Sequence, residues 1–272
     1  MILYKYVSFE VAKLIIETST IGFSCLEDLN DPFEGTSLRF EDNEVTSGNV
    51  IFSAVRNRMS QKFGLLSLTR TPLNSTMWSH YGDDHRGVVI GIDVNIAELN
   101  CTKKNLVPAN YGDVIYTTTK PNNALPQITA KRLMEIGNEV EAFTEQDYEL
   151  FKRTFLYKSL PWNYEEEVRV VKNVKLPPST SRYTECKFNN QSGKWNSIQY
   201  QGRPIYCLNI PKESIKEIYL GCATYNNVSR LGVCKEQYLQ LKSEWKNRGI
   251  TIFNVRQVPG KWQLESFVHK DS

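Results

Sequence analysis

The chain has 272 residues, 40% hydrophobic and 23% charged, a globular balance that excludes a disordered chain and suits one elaborated domain or two small ones. Lysine and arginine exceed aspartate and glutamate by only 33 − 30 = +3, with both signs spread along the chain. That is not the basic stripe of a dedicated nucleic-acid binder, so only a local patch would serve that role. Apolar runs reach only about five residues, too short to span a bilayer, and the opening Met1-Ile-Leu-Tyr-Lys-Tyr6 lacks the pattern of a signal peptide. The expectation is a soluble, cytoplasmic protein without a membrane partner.

In chain order, residues 2–7 alternate as a strand, and Ser8 is a natural N-cap for a helix to about Thr18. A strand near 20–24 precedes the turn Asn30-Asp31-Pro32-Phe33-Glu34, which either shapes a loop or reaches into a site. Helical spacing marks 49–62, then a strand over 64–68 and a helical turn over 76–81. Residues 87–93 read as a strand buried on both faces, followed by a strand over 113–116. The spacing predicts two helices across 127–158, broken near Phe143-Thr144. Strands follow at 168–171, 205–210, 218–220, 250–255 and 264–268, with a helix across 228–247. The polar stretch 175–203 reads as a surface excursion. Strands at both ends and helices in the middle, without βαβ alternation or a Gly-rich phosphate motif, predict one α+β domain over 1–272 with mixed or antiparallel sheets.

Six cysteines at 25, 101, 186, 207, 222 and 234 form no CxxC pair, and the histidines are only His80, His85 and His269. Unpaired thiols and no metal site are expected.

Chemistry concentrates in three places. If 164–171 is a strand, period two puts Glu165, Glu167 and Arg169 on one face, with Glu166, Val168 and Val170 opposite. The two carboxylates then stand about 7 Å apart, suited to binding a diol or stabilising positive charge. The same pattern also suits a solvated edge strand with an ordinary ion pair. In the second, Ser67-Leu-Thr69-Arg70 precedes Met77-Trp-Ser-His-Tyr81. Small hydroxyls there can bind a ligand, His80 can act as acid or base, and Trp78 and Tyr81 can stack on a ring or belong to the core. The third is the 30–34 turn.

These segments, taken in order, resemble a bacterial family of uncharacterised proteins, domain-of-unknown-function family 2971. The resemblance rests on Leu3-Tyr-Lys-Tyr6, Asn30-Asp-Pro-Phe-Glu34, Ser67-Leu-Thr69, Met77-Trp-Ser-His-Tyr81, Val114-Ile-Tyr116, Lys158 with Trp162-x-Tyr-Glu165-x-Glu167-x-Arg169, and Ile218-Tyr-Leu-Gly221. It spans about residues 3–222 and leaves 223–272, a C-terminal helix and strands, outside. The layout is remotely similar to ADP-ribosyltransferases, although the first strand carries Lys5 where they have arginine or histidine. That likeness implies an ADP-ribosyltransferase-like core and NAD as substrate. Glu167 would stabilise the oxocarbenium-like ribose, and Glu165 would orient or deprotonate the acceptor. Lys5, Tyr6, Asn30, Ser67, Trp78, His80, Tyr81 and Arg169 would bind NAD. It further implies an acceptor, protein or nucleic acid, and a toxin or phage-defence role with partner proteins of a defence operon. The alternatives are an inert nucleotide- or protein-binding module and a nucleic-acid-processing protein.

Overall fold

The computed structural model describes residues 1–42, 47–178, 180–224 and 234–268. Strand β1 (Ile2–Val7) leads into α1 (Phe9–Thr18), whose first turn is capped by the Ser8 hydroxyl accepting from the Val11 amide at 3.3 Å. Then come β2 (Thr20–Phe23), α2 (Gly48–Lys62), β3 (Phe63–Thr69), α3 (Ser75–Tyr81), β4 (Val88–Asp93) and β5 (Ile115–Thr117). The middle holds α4 (Ala130–Glu135), α5 (Glu145–Phe155) and β6 (Tyr157–Ser159). The remainder is β7 (Glu167–Asn173), β8 (Cys186–Asn190), β9 (Gly193–Tyr200), β10 (Arg203–Asn209), β11 (Ile215–Leu220), α6 (Lys235–Asn247), β12 (Thr251–Gln257) and β13 (Leu264–Val268).

The fold is mixed α and β, with mostly antiparallel sheets. A seven-stranded sheet runs β13-β12-β11-β4-β1-β3-β7, and only its β11–β12 pair is parallel. A four-stranded sheet runs β2-β10-β9-β8, and β5 and β6 form a short parallel pair. Strand β4 lies mid-sheet with Val88, Val89, Ile90 and Ile92 fully buried, which is why its sequence is an unbroken apolar run. Leu66 and Leu68 of β3 and Val168 and Val170 of β7 face one core, shared with α1, α6 and the second sheet through Trp195, Tyr206 and Leu208. Leu65 and Val171, on the opposite parity, pack with Val55, Met59, Phe151 and Phe155 of α2 and α5. The side chains that matter for chemistry share this second face, since Ser67 pairs with Arg169 and Thr69 with Glu167.

Three elements differ from the sequence expectation. The strand expected from residue 164 begins at Glu167, after a 3-10 turn (Leu160–Glu165) and a left-handed Glu166 at φ 43°. The region 127–158 holds two short helices with non-helical backbone between them, so helix covers less of it than expected. The stretch 175–203 is not simply a surface excursion. Its β8–β9 hairpin stacks Phe188 on Trp195 at 6.2 Å, both buried, and two well-placed aromatic rings suffice to seat an otherwise polar hairpin. Of the helix expected across 228–247, residues 228–233 lie outside the described residues, as does His269.

Candidate functional site

Strands β1 and β3 share a single paired position, Tyr4 opposite Thr69. Beyond it the Lys5 ammonium donates to the Ser67 carbonyl at 3.2 Å in place of a backbone ladder. A cavity of about 210 Å³ opens there. Tyr4, Lys5 and Tyr6 form one wall, Ser67 and Thr69 another, and Met77 and Tyr81 of α3 a third, and Asn30, Glu34, Lys158, Glu165, Glu167 and Arg169 also line it.

Local backbone chemistry delivers each of these groups. The Asp31 carboxylate accepts from the Phe33 amide at 2.9 Å, and the Glu34 amide donates to the Asp31 carbonyl at 3.1 Å, tightening the turn. Gly35 then takes φ 68°, where an added Cβ would meet Leu26 at 2.7 Å, so only glycine lets the chain leave with Glu34 pointing inward. Asn74 caps α3 by accepting from the Thr76 and Met77 amides at 2.9 and 3.1 Å, and its amide group donates to the Tyr164 carbonyl at 2.8 Å. That bond fixes α3 against the 3-10 turn carrying Glu165.

Arg169 is 1% exposed, and all five of its N–H donors are used. Nε and Nη2 donate to Glu167 at 2.8 and 3.0 Å, Nη1 and Nη2 to Glu34 at 2.8 and 2.5 Å, and Nη1 to the Phe155 carbonyl at 2.5 Å. Lys158 donates to Glu165 at 2.5 Å and Glu167 at 3.3 Å, stands 3.8 Å from Glu34, and lies 4.9 Å from the Trp162 ring centre. Tyr81 donates to the other Glu165 oxygen at 2.7 Å and accepts from the Asn30 amide at 3.1 Å. The Glu167 amide donates to the Tyr116 hydroxyl at 2.9 Å.

Burial would raise the Glu167 pKa, but the Arg169 and Lys158 charges, with hydrogen bonds from Arg169 and Ser67, hold it down at about 2. Its carboxylate is therefore held in the ionised form. Burial raises the Tyr81 pKa and the bond to Glu165 reinforces it, so the hydroxyl remains a donor. Burial lowers Lys5 to about 8 against the opposing pull of Glu167. By residue type, three carboxylates against Lys158 and Arg169 leave a formal −1, which Lys5 cancels while protonated.

Of the residues singled out from sequence, Lys5, Tyr6, Asn30, Ser67, Tyr81, Glu165, Glu167 and Arg169 surround this one cavity. Two do not line it. Trp78 is wholly buried with its indole N–H donated to the Pro72 carbonyl at 2.9 Å, because the helix turns residue 78 into the core and residue 81 toward the cavity. His80 is exposed, its ring 6.2 Å from Tyr81 and 6.1 Å from Tyr164, so it is neither a cavity acid nor a core histidine. The solvated edge with an exposed ion pair is also corrected. Glu165 and Glu167 are 3% and 6% exposed, because the loop carrying Glu34 and strand β6 cover them. Glu166 does face solvent.

Two members of the cluster, Glu34 and Lys158, were not assigned a role from sequence. Glu34 was signalled by its place in the 30–34 turn, read as shaping a loop or reaching into a site, and its inward direction by the glycine after it. Lys158 was signalled by its place in the family-like segment ahead of Trp162 and Glu165, as a cation shortly before a run of acids. Among the described residues no group of three or more His, Cys, Asp or Glu is placed to hold a metal ion, and no helix is long and apolar enough to cross a membrane. The cysteines are unpaired, from buried Cys25 to exposed Cys234.

No curated protein and no solved structure matches the chain. Residues 77–170, from within α3 through the first half of β7 and so including Tyr81, Lys158, Glu165, Glu167 and Arg169, match the family described as protein of unknown function (DUF2971).

Proposed function

We propose that this protein is an NAD-consuming, ADP-ribosyltransferase-like enzyme with Glu167 at its reaction centre. The observation that carries the reading is an ionised, buried carboxylate fixed at a cavity wall by two cations and a serine hydroxyl. As the glycosidic bond breaks, both bonding electrons leave with neutral nicotinamide and positive charge develops at the ribose. A carboxylate that needs no reorganisation stabilises that charge more than it stabilises the ground state. The acceptor oxygen or nitrogen then bonds to the ribose carbon, and its proton passes to Glu165. Lys158 bridges both carboxylates and sets their separation. Arg169 and Glu34 are positioning residues behind them. Tyr6, Ser67 and Tyr81 would contact the nicotinamide ribose, and an ADP-ribosyltransferase-like core belongs to the same proposal.

A second reading, an inert nucleotide- or protein-binding module, draws on a different observation. The Arg169 donors are all satisfied internally, and about 210 Å³ is below the roughly 300–1,000 Å³ typical of ligand pockets.

Nicotinamide release from NAD, measured on the parent and on Glu167→Gln, separates the two. The enzyme reading expects a loss of about 10²–10³-fold in rate. The control Glu166→Gln, at an exposed position, leaves turnover intact. Equal turnover by Glu167→Gln and parent refutes the role of Glu167. A parent that binds NAD without releasing nicotinamide, candidate acceptors being supplied, favours the binding module.

A further inference from the structure

Beside the first cavity is a second of about 230 Å³, and Lys158 lines both. Its walls have the opposite chemistry. Ser37, Thr117, Thr118, Thr119, Tyr157 and Ser159 contribute six hydroxyls, Lys120 an ammonium, and no carboxylate lines it. Thr117 and Ser159 are paired at the ends of parallel strands β5 and β6, which aligns two of the hydroxyls. In the first cavity the polar groups are consumed by one another. Here none of the serine and threonine hydroxyls is hydrogen-bonded to another group among the described residues. The Lys120 ammonium lies 5.7 Å from the Phe33 ring centre and has no acidic partner among the described residues. Arg39, exposed, donates to the Asn122 carbonyl at 3.3 Å, and Arg153 donates to the Asn123 carbonyl at 2.6 Å, so two further cations hold the segment just after Lys120.

A concave surface of hydroxyl donors and a cation, with no carboxylate or carboxamide side chain in its wall, matches a group that offers only acceptors and negative charge. The Lys120 ammonium, uncompensated by any carboxylate in the wall, disfavours a cationic ligand and suits an anion, whose oxygens the hydroxyls meet as donors. We propose that the second cavity binds the phosphate groups of the nucleotide whose glycosidic bond is held at Glu167. The joint ligand rests on the NAD reading above, whereas the affinity for phosphate does not.

The probe is inorganic pyrophosphate, titrated calorimetrically into the full chain. Saturable binding that weakens with added salt is expected. Lys120→Met and the double variant Thr118→Val/Thr119→Val should each weaken it by about ten- to a hundredfold, the range for losing charge-assisted hydrogen bonds. Lys187→Met, which removes an exposed lysine on β8, serves as the charge control and should leave binding unchanged. All four positions are exposed, so folding is preserved and thermal midpoints verify it. No saturable binding, or equal loss in the Lys187 variant, overturns the proposal. Pyrophosphate binding by a parent that leaves NAD intact retains the phosphate site and discards the enzyme reading. NAD cleavage without pyrophosphate binding does the reverse.

Discussion

Glu34→Gln isolates the contact that ties the 30–35 turn to β7. Glu34 accepts two of the five Arg169 donors across 135 residues of sequence, and both side chains are nearly inaccessible, at 3% and 1% exposure. Glutamine keeps the shape but presents an NH2 group to a guanidinium that has only Glu167 and the Phe155 carbonyl left. Removing one partner of a buried pair typically costs 3–5 kcal/mol, and the retained amide oxygen recovers part of it, so about 3 kcal/mol is expected. For a chain of this size that is roughly 6–12 °C in Tm, at about 2–4 °C per kcal/mol. Thermal and urea unfolding followed by circular dichroism would measure it, with an unchanged m-value showing that the folded and unfolded ensembles are otherwise alike. Combining Glu34→Gln with Arg169→Met supplies the coupling, and the double variant should be less destabilised than the two single effects predict. A Tm within about 1 °C of the parent, where about 3 kcal/mol predicts several degrees, would show that the pair neither desolvates nor fastens the turn.

Lys5 sets the pH dependence. Its folded pKa of about 8 lies below the ordinary 10.5, so its cation offsets Glu167 below pH 8 and is lost as pH rises through that value. Nicotinamide release should therefore increase above about pH 8, and Lys5→Met should flatten the pH–rate profile at the higher level; a parent profile without this rise refutes the electrostatic role. In stability the unfolded chain binds the proton more tightly, so the burial penalty is relieved between pH 8 and 10.5 and stability rises across that window. Trp78→Phe removes buried volume and the bond to Pro72, costing about 1–2 kcal/mol, while the KM for NAD is unchanged because residue 78 does not line the cavity. A large KM shift at unaltered Tm would restore Trp78 as a ligand platform.

The buried strand β4 was legible because every residue from Val88 to Ile92 obeys one rule, burial on both faces. The pairing of Glu167 with Arg169 was legible for a similar reason, since period two holds once the strand is located. Glu165 reaches the same cluster by another route. It ends a 3-10 turn, and the left-handed Glu166 resets the backbone before β7 begins, so strand parity gave the right neighbour through the wrong geometry. Burial of the cluster was not legible. It comes from Glu34 and Lys158, whose contacts depend on the path of loops and not on any local period. Trp78 and Tyr81 illustrate a finer limit. Three residues apart on a short helix, they belong to different surfaces, and spacing alone does not say which of the two faces inward.

Glu34, Lys158, Glu165, Glu167 and Arg169 come from four separate segments, the turn after β2, strand β6, the 3-10 turn and β7. The Glu167–Arg169 and Lys158–Glu165 contacts are local in sequence, whereas those of Glu34 cross more than 120 residues, so the complete cluster requires the 30–35 turn to dock on β7. As a stabilising device it is inefficient. Desolvating five ionisable groups offsets most of the Coulomb energy that their pairing returns, and apolar side chains of similar volume commonly serve stability as well or better. An apolar cluster would supply no fixed charge at a cavity wall. The three acids and two bases here hold one carboxylate ionised, oriented and largely shielded from water, beside a lysine whose proton is lost near pH 8. On the proposed activity, a field fixed in that way would act on a charge developing in the cavity without reorganising first, a use for a buried ionic cluster that folding stability alone does not supply.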